Sequence, residues 1–289
     1  MNDTPPIVLV FAGNDPSAGA GLAADLLTFA SLGCHALPVV TALTVQDTAG
    51  MEDFTAVDPD IVSDQARFVL EDMQVAAIKV GVIGSIENLA VIAEIAADYP
   101  DVPLILDPVL TTGGGDEFAT DELINAMREL LLPHTTVLTP NSVEARRLAT
   151  DDSDEQEGMT SDEAALRLRQ FGPEYVLVTG THENTPNVAN ALFNRSGRVR
   201  VDTWDRLPGS FHGSGCTLAS ALTALIACGM DIPTAAKEAQ EYTYQTLKHA
   251  FRPGMGQFIP DRMFWARGNN GNAAEGESEG EAPEEPKAD

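Results

Sequence analysis

Basic residues are scarce in this chain: 17 Lys and Arg stand against 44 Asp and Glu, a formal net charge of -27 over 289 residues. A surface of that sign repels polyphosphate backbones and anionic lipid, which argues against nucleic-acid and membrane partners. It also repels a free nucleotide, so any nucleotide site must be made locally positive by backbone donors, a metal ion or a few cations. Cysteine is limited to Cys34, Cys216 and Cys228, too few for a disulfide scaffold and suited to a reducing compartment. The N-terminus carries only the short run IVLVFAG after MNDTPP, without a basic leader, and no apolar stretch reaches the length of a membrane span. The expectation is a cytoplasmic protein. Its five histidines show no HxxxH or clustered Cys/His spacing, which argues against a structural metal site.

What is present is an alternation of short β-branched runs with amphipathic stretches. That is the pattern of a mostly parallel sheet covered by helices on both faces, an α/β architecture. The strand candidates are IVLVFA from Ile7, ALPVVTAL from Ala36, AAIKVGV from Ala76, PLILDPV from Pro103, TVLTP from Thr136 and YVLVTG from Tyr175. VANALF from Val188 and RVRVDTW from Arg198, separated by Asn194 to Gly197, read as a hairpin at a sheet edge. Leu22, Leu26 and Phe29, closing at Gly33, and Leu218, Leu222 and Leu225, closing at Gly229, have the spacing of helical core faces. From Gly268 onward seven acidic residues and one lysine occur with no large apolar side chain, so residues 1–267 are read as one domain and 268–289 as an acidic, disordered tail.

The segment His212-Gly-Ser-Gly-Cys216-Thr217 runs straight into the apolar stretch LASALTALIACG. Glycines that admit close approach, the positive end of a helix dipole and the hydroxyls of Ser214 and Thr217 together make an anion seat of the kind phosphoryl transfer needs. A glycine-rich helix cap with no ligand has the same signature. A second glycine-rich turn, Gly13 to Gly21, follows the first strand, at the strand end where open α/β sheets bind ligands. It lacks both the Lys-Ser/Thr pair of a P-loop and the G-x-G-x-x-G spacing, so it is read as the floor of a small-molecule site. Asp25 either aims a carboxylate at that floor or favours the helix start. Asp107 stands at a strand end, and Asn141 and Glu144 lie three apart at a helix start. The latter pair can hold a hydrated magnesium ion, or can simply form a capping box.

Seven segments, GNDPSAGAGLAADLLTFASLG, TALTVQDT, AAIKVGVIGS, ILDPVLTTGG, LTPNSVEA, VLVTGTH and HGSGCTLASALTA, stand in the order and spacing of the hydroxymethylpyrimidine/phosphomethylpyrimidine kinases of thiamine biosynthesis. The chain resembles that family of the ribokinase-like superfamily from about Ile7 to Ala250. The resemblance implies a ribokinase-like sheet, ATP with Mg2+, a homodimer, and two successive phosphorylations of 4-amino-5-hydroxymethyl-2-methylpyrimidine. By the same resemblance Gln46, Gly13, Asp25, Val82 and Val109 form the pyrimidine pocket, and Asn141, Glu144, Thr179 and Ser214 hold the nucleotide. Asp107 and Glu144 hold the metal. Gly213, Gly215 and Cys216 form the anion hole, with Cys216 where the wider superfamily has a catalytic aspartate. A thiol at a helix start is expected to have a lowered pKa and so could act as general base; a small residue that only shapes the hole would look the same.

Two positions depart from the family pattern. Thr179-Gly180-Thr181-His182 stands where KGGH is frequent, so a lysine near the phosphates is missing and positive charge must come from elsewhere. Ser214 replaces the usual threonine of HGTGC and keeps the hydroxyl. A pyridoxal kinase of the same superfamily is the nearest rival reading, and a pyrimidine-binding protein without catalysis a more distant one.

Overall fold

The computed structural model describes residues 4–111 and 119–267. The acidic segment 268–289 and the glycines of LDPVLTTGG lie outside the described residues. Nine strands form one sheet: β1 Ile7–Asn14, β2 His35–Gln46, β3 Met51–Ala56, β4 Ala77–Val80, β5 Leu104–Leu106, β6 Val137–Leu138, β7 Tyr175–Val178, β8 Asn187–Asn194 and β9 Gly197–Asp205. Their order across the sheet is β3-β2-β1-β4-β5-β6-β7-β8-β9. The run from β2 to β7 is parallel, as the alternating pattern predicts. At one edge β8 and β9 make the expected antiparallel hairpin. At the other, β3 pairs antiparallel with β2, and this strand has no counterpart among the sequence-based candidates.

The nine α-helices among the described residues are α1 Gly21–Ser31, α2 Pro59–Asp72, α3 Ile86–Asp98, α4 Asp121–Ala126, α5 Ser142–Ala149, α6 Ser153–Gly158, α7 Ser161–Leu168, α8 Ser214–Ala227 and α9 Ile232–Lys248. Strand side chains alternate between the two faces they line. Leu9, Phe11, Ile78, Val80, Leu104, Leu106, Leu138 and Val176 pack with α2, α3, α5 and α7. Val8, Val10, Ala77, Ile105, Val137 and Leu177 pack on the opposite face with α1, α8 and α9. Burial on both faces is why these strands read as continuous apolar runs.

The helical stripes are corrected at one position each. Leu22 and Phe29 are buried but Leu26 is exposed, and Leu218 and Leu222 are buried while Leu225 is only partly covered. All three cysteines are free thiols, with Cys34 Sγ and Cys228 Sγ 3.9 Å apart where α1 and α8 end.

Candidate functional site

The carboxyl ends of β1, β2, β4, β5, β6 and β7 converge with the first turns of α1, α5 and α8, the position at which parallel α/β sheets hold ligands. Helix α8 begins after Gly213, whose φ of +80° is left-handed and which offers no side-chain cap. A side chain there would run into the backbone of Gly19, so the two glycine-rich turns pack directly on one another. The N–H groups of Ser214, Gly215 and Cys216 thus start the helix with no side chain of the N-cap to satisfy them. Ser214 and Cys216 are half-buried and Gly215 is exposed. The expected hydroxyl donor Thr217 is not available to a ligand. It is buried, donates to Gly213 O at 2.8 Å and accepts from Arg262 Nε at 3.0 Å. His212, at the head of the segment, turns its Nε2 to Asp15 Oδ2 at 2.8 Å. Asp15 in turn accepts from Ser17 N and Ala20 N, which fixes the first glycine-rich turn.

Behind this helix start lies a buried charge cluster. Asp25 is sealed from solvent, with one oxygen 2.9 Å from Lys79 Nζ and the other accepting from Ser220 Oγ at 2.7 Å. Its carboxylate is therefore committed to the protein and does not open onto the floor of the site. Lys79, wholly buried in β4, had no place in the sequence reading, although a lysine inside the apolar run AAIKVGV is itself the signal of a buried ion pair. Burial alone would lower the Lys79 pKa, but the charges of Asp25, Cys216 and Asp107 hold it above the usual lysine range. A Cβ on Gly81 would come within 2.6 Å of Lys79 Nζ, so glycine there leaves the ammonium its room.

Asp107 follows β5 and faces the start of α8: a Cβ built on Gly215 would lie 3.7 and 3.9 Å from its two carboxylate oxygens. Burial pushes the Asp107 pKa up to about 6, with Lys79 opposing and Asp25 adding to the rise. Asn141 and Glu144 form the capping box of α5. Asn141 Oδ1 accepts from the N–H groups of Val143 and Glu144, and Glu144 Oε2 accepts from Asn141 N at 3.0 Å. Glu144 Oε1 also accepts from Leu110 N at 3.3 Å. Glu144 is pushed up to about 8, first by burial and then by the charge of Asp107, against the two backbone donors. Two neighbouring buried carboxylates that resist ionisation form a donor set that a divalent, oxygen-preferring cation would satisfy. Among the described residues no cluster of three or more His, Cys, Asp or Glu makes a closed metal cage, and Mg2+ ordinarily completes its shell with water and substrate phosphate.

Cys216 departs from the expected lowered pKa. Burial pushes its thiol up to about 12; Lys79 and the Gly21 N–H oppose this, while Asp25 and Asp107 add to it. Lys79 and the Gly21 N–H together do not overcome the desolvation and the two nearby carboxylates.

Of the remaining candidates, Gly13 lies against Val82, whose Cβ is 3.6 Å from the position of a Cβ on Gly13. Asn141 and Thr179 are joined by a parallel bridge between the ends of β6 and β7. Gln46 ends β2, beyond the point where Leu43 pairs with Asn14, and is half-buried; Val109 is half-buried two residues past Asp107. Besides Lys79, Asp15 and His212, sequence reasoning missed Arg262, which donates to Ala18 O, Gly19 O, Gly213 O and Thr217 Oγ1 from beyond α9.

A glycine-rich helix start facing buried carboxylates at the carboxyl edge of a parallel sheet defines an anion-handling α/β protein. The phosphomethylpyrimidine kinase family profile matches residues 15–261, and the chain belongs to that family. It is 37% identical over 259 residues to the hydroxymethylpyrimidine/phosphomethylpyrimidine kinase of Mycobacterium tuberculosis, covering 88% of this chain and 92% of that one. The pyridoxal kinase of Staphylococcus aureus in complex with AMP-PCP and pyridoxal superposes with a TM-score of 0.77 at 25% identity, over 91% of this chain and 96% of that one. The phosphomethylpyrimidine kinase of Clostridium difficile superposes with a TM-score of 0.70 at 27% identity, over 84% and 99%. The ribokinase-like architecture expected from the sequence is the one these neighbours share.

Proposed function

We propose that this protein phosphorylates 4-amino-5-hydroxymethyl-2-methylpyrimidine with ATP and then phosphorylates the monophosphate to the diphosphate. The observation that carries this reading is the start of α8, where N–H groups with no side-chain cap lie beside Asp107 and Cys216 in a chain of the phosphomethylpyrimidine kinase family. The AMP-PCP complex of the staphylococcal relative supports ATP as donor.

In the first step the substrate hydroxyl oxygen attacks the γ-phosphorus, the bond from that phosphorus to the departing ADP oxygen breaks, and the hydroxyl proton passes to Cys216 Sγ in its thiolate form, which burial makes scarce at neutral pH. In the second step an ionised oxygen of the monophosphate attacks and no hydroxyl proton has to be removed. The N–H groups of Ser214, Gly215 and Cys216 stabilise the charge on the transferring oxygens, as donors fixed before the reaction. Gln46 donates to and accepts from the aminopyrimidine edge, and Gly13, Val82 and Val109 enclose the ring, while Asp25 braces the wall through Lys79 and Ser220. Asn141, Thr179 and Ser214 line the phosphates. Glu144 and Asp107 would hold Mg2+, which supplies charge neutralisation of the phosphates when bound.

The test is incubation with ATP, Mg2+ and the hydroxymethylpyrimidine with product identification by mass spectrometry. Singly and then doubly phosphorylated pyrimidine is expected, and neither appearing would remove the reading. The pyridoxal kinase neighbour favours one rival, since pyridoxal also presents a hydroxymethyl group on a nitrogen heterocycle. A larger kcat/KM for pyridoxal than for the pyrimidine would transfer the assignment to it.

A further inference from the structure

Arg262 stands one residue beyond the stretch that matches the family, in the segment that returns over the site after α9. It is buried to 2% exposure, and no carboxylate lies within ion-pair distance of it among the described residues. The nearby acids are already engaged: Asp15 with His212, Asp25 with Lys79, and Asp261 with Arg267. A buried guanidinium without a direct ion pair is costly unless its donors are hydrogen-bonded; burial lowers its pKa, and Asp25 and Asp15 oppose this only from a distance.

Its four hydrogen bonds all go to the two glycine-rich turns and the start of α8. Nη2 donates to Gly19 O at 2.6 Å and Gly213 O at 3.4 Å, Nη1 to Ala18 O at 3.4 Å, and Nε to Thr217 Oγ1 at 3.0 Å. Thr217 passes the contact on, donating to Gly213 O at 2.8 Å. In a trans peptide the C=O and the following N–H point in opposite directions. Gly213 C=O also accepts the first helical bond of α8 from Thr217 N at 3.0 Å, so Arg262 reinforces a carbonyl direction the helix already sets, and Ser214 N–H points away from both donors. The arginine is itself held in place, because its own carbonyl accepts from Tyr242 Oη at 2.8 Å and the preceding N–H of Asp261 donates to Thr246 O.

We propose that Arg262 is a positioning residue for phosphoryl transfer: it locks the two glycine-rich turns together so that the α8 N–H groups are aimed in advance. The role rests on the kinase reading above. It acts through Gly213, Gly19 and Thr217, and it places a cation beside the anion seat of a protein whose overall charge is -27.

The experiment compares the full-length parent with R262Q and R262K. It reads kcat and KM for the pyrimidine, the affinity for AMP-PCP by calorimetry, and the melting temperature. Loss of one preorganised donor set predicts a kcat roughly 100-fold lower in R262Q, AMP-PCP binding about tenfold weaker, and pyrimidine KM within about threefold. R262K, which keeps the charge but not the fork, should recover part of the turnover. A folded R262Q with kcat and AMP-PCP affinity both within about threefold of the parent overturns the proposal. So does a loss confined to pyrimidine KM or to melting temperature. Should R262Q fail to melt cooperatively, R262K alone decides: a fall in kcat at unchanged pyrimidine KM supports the role, and unchanged kcat overturns it. A parent inactive on the pyrimidine refutes only the substrate assignment, since the AMP-PCP comparison still judges Arg262.

Discussion

Cys216 shows how a single residue can carry the right chemistry in a setting that opposes it. A helix start favours the thiolate, yet burial next to Asp25 and Asp107 pushes the thiol up to about 12. A raised acid releases its proton only as pH climbs, so the basic form at Cys216 grows from neutral into alkaline solution. If the thiol takes the substrate's proton, kcat of the parent should keep rising with pH beyond neutrality. C216S should then be slower by roughly 100-fold and lack the alkaline rise. A pH–rate profile of the two proteins at saturating substrates checks this. A C216S enzyme with the parent's rate and profile would reduce the thiol to packing, leaving the backbone N–H groups as the contribution of that turn.

The capping box of α5 is an element whose two readings coexist. Asn141 and Glu144 close the helix start on themselves, as the N-x-x-E spacing allows, and the same Glu144 is buried beside Asp107. In the folded chain Glu144 is pushed up to about 8 from 4.5, and Asp107 to about 6 from 3.8. Between the unfolded and folded values the native state keeps protons that the unfolded chain has lost. Stability from these groups is therefore fullest near pH 4 and falls as pH rises toward 8. Without divalent cation the melting temperature should drop across that window; E144Q should flatten the drop, and millimolar Mg2+ at pH 8 should raise the parent's melting temperature by several degrees but not that of E144Q. Thermal melts at four pH values decide it, and an identical slope in E144Q would refute the assignment.

At this scale the parallel strands and the edge hairpin were legible because burial on both faces leaves unbroken β-branched runs. Strand β3, MEDFTA, was not, because an edge strand needs no apolar face and its acidic residues read as loop. Gly213 was legible as a turn before a helix, and Lys79 left a signal in its apolar run although its partner Asp25, 54 residues away, did not, whereas Arg262 became visible only once the fold brought it to Gly213, 49 residues away.

On the scale of the whole molecule, two features pull against each other. A charge of -27 makes every pair of copies repel at low ionic strength. The arm formed by β2 and β3, however, presents Leu43 and Val45 on one face with exposures of 53% and 57%, next to a sheet edge that β3 leaves open. Two apolar side chains on one side of an edge ribbon are what a second copy could cover, and the homodimer expected from the family resemblance is proposed to use this arm. Screening shortens the reach of the repulsion to roughly 3 Å at 1 M salt, against about 30 Å at 0.01 M, while apolar burial is retained. Sedimentation at both ionic strengths should therefore show a mass near twice the 30.7 kDa chain at high salt and a shift toward monomer at low salt. Replacing Leu43 and Val45 together by Asp should keep the chain monomeric at both. The side chains lie outside the packed core, so that variant should still melt cooperatively, and a dimer that survives it would move the interface to another face.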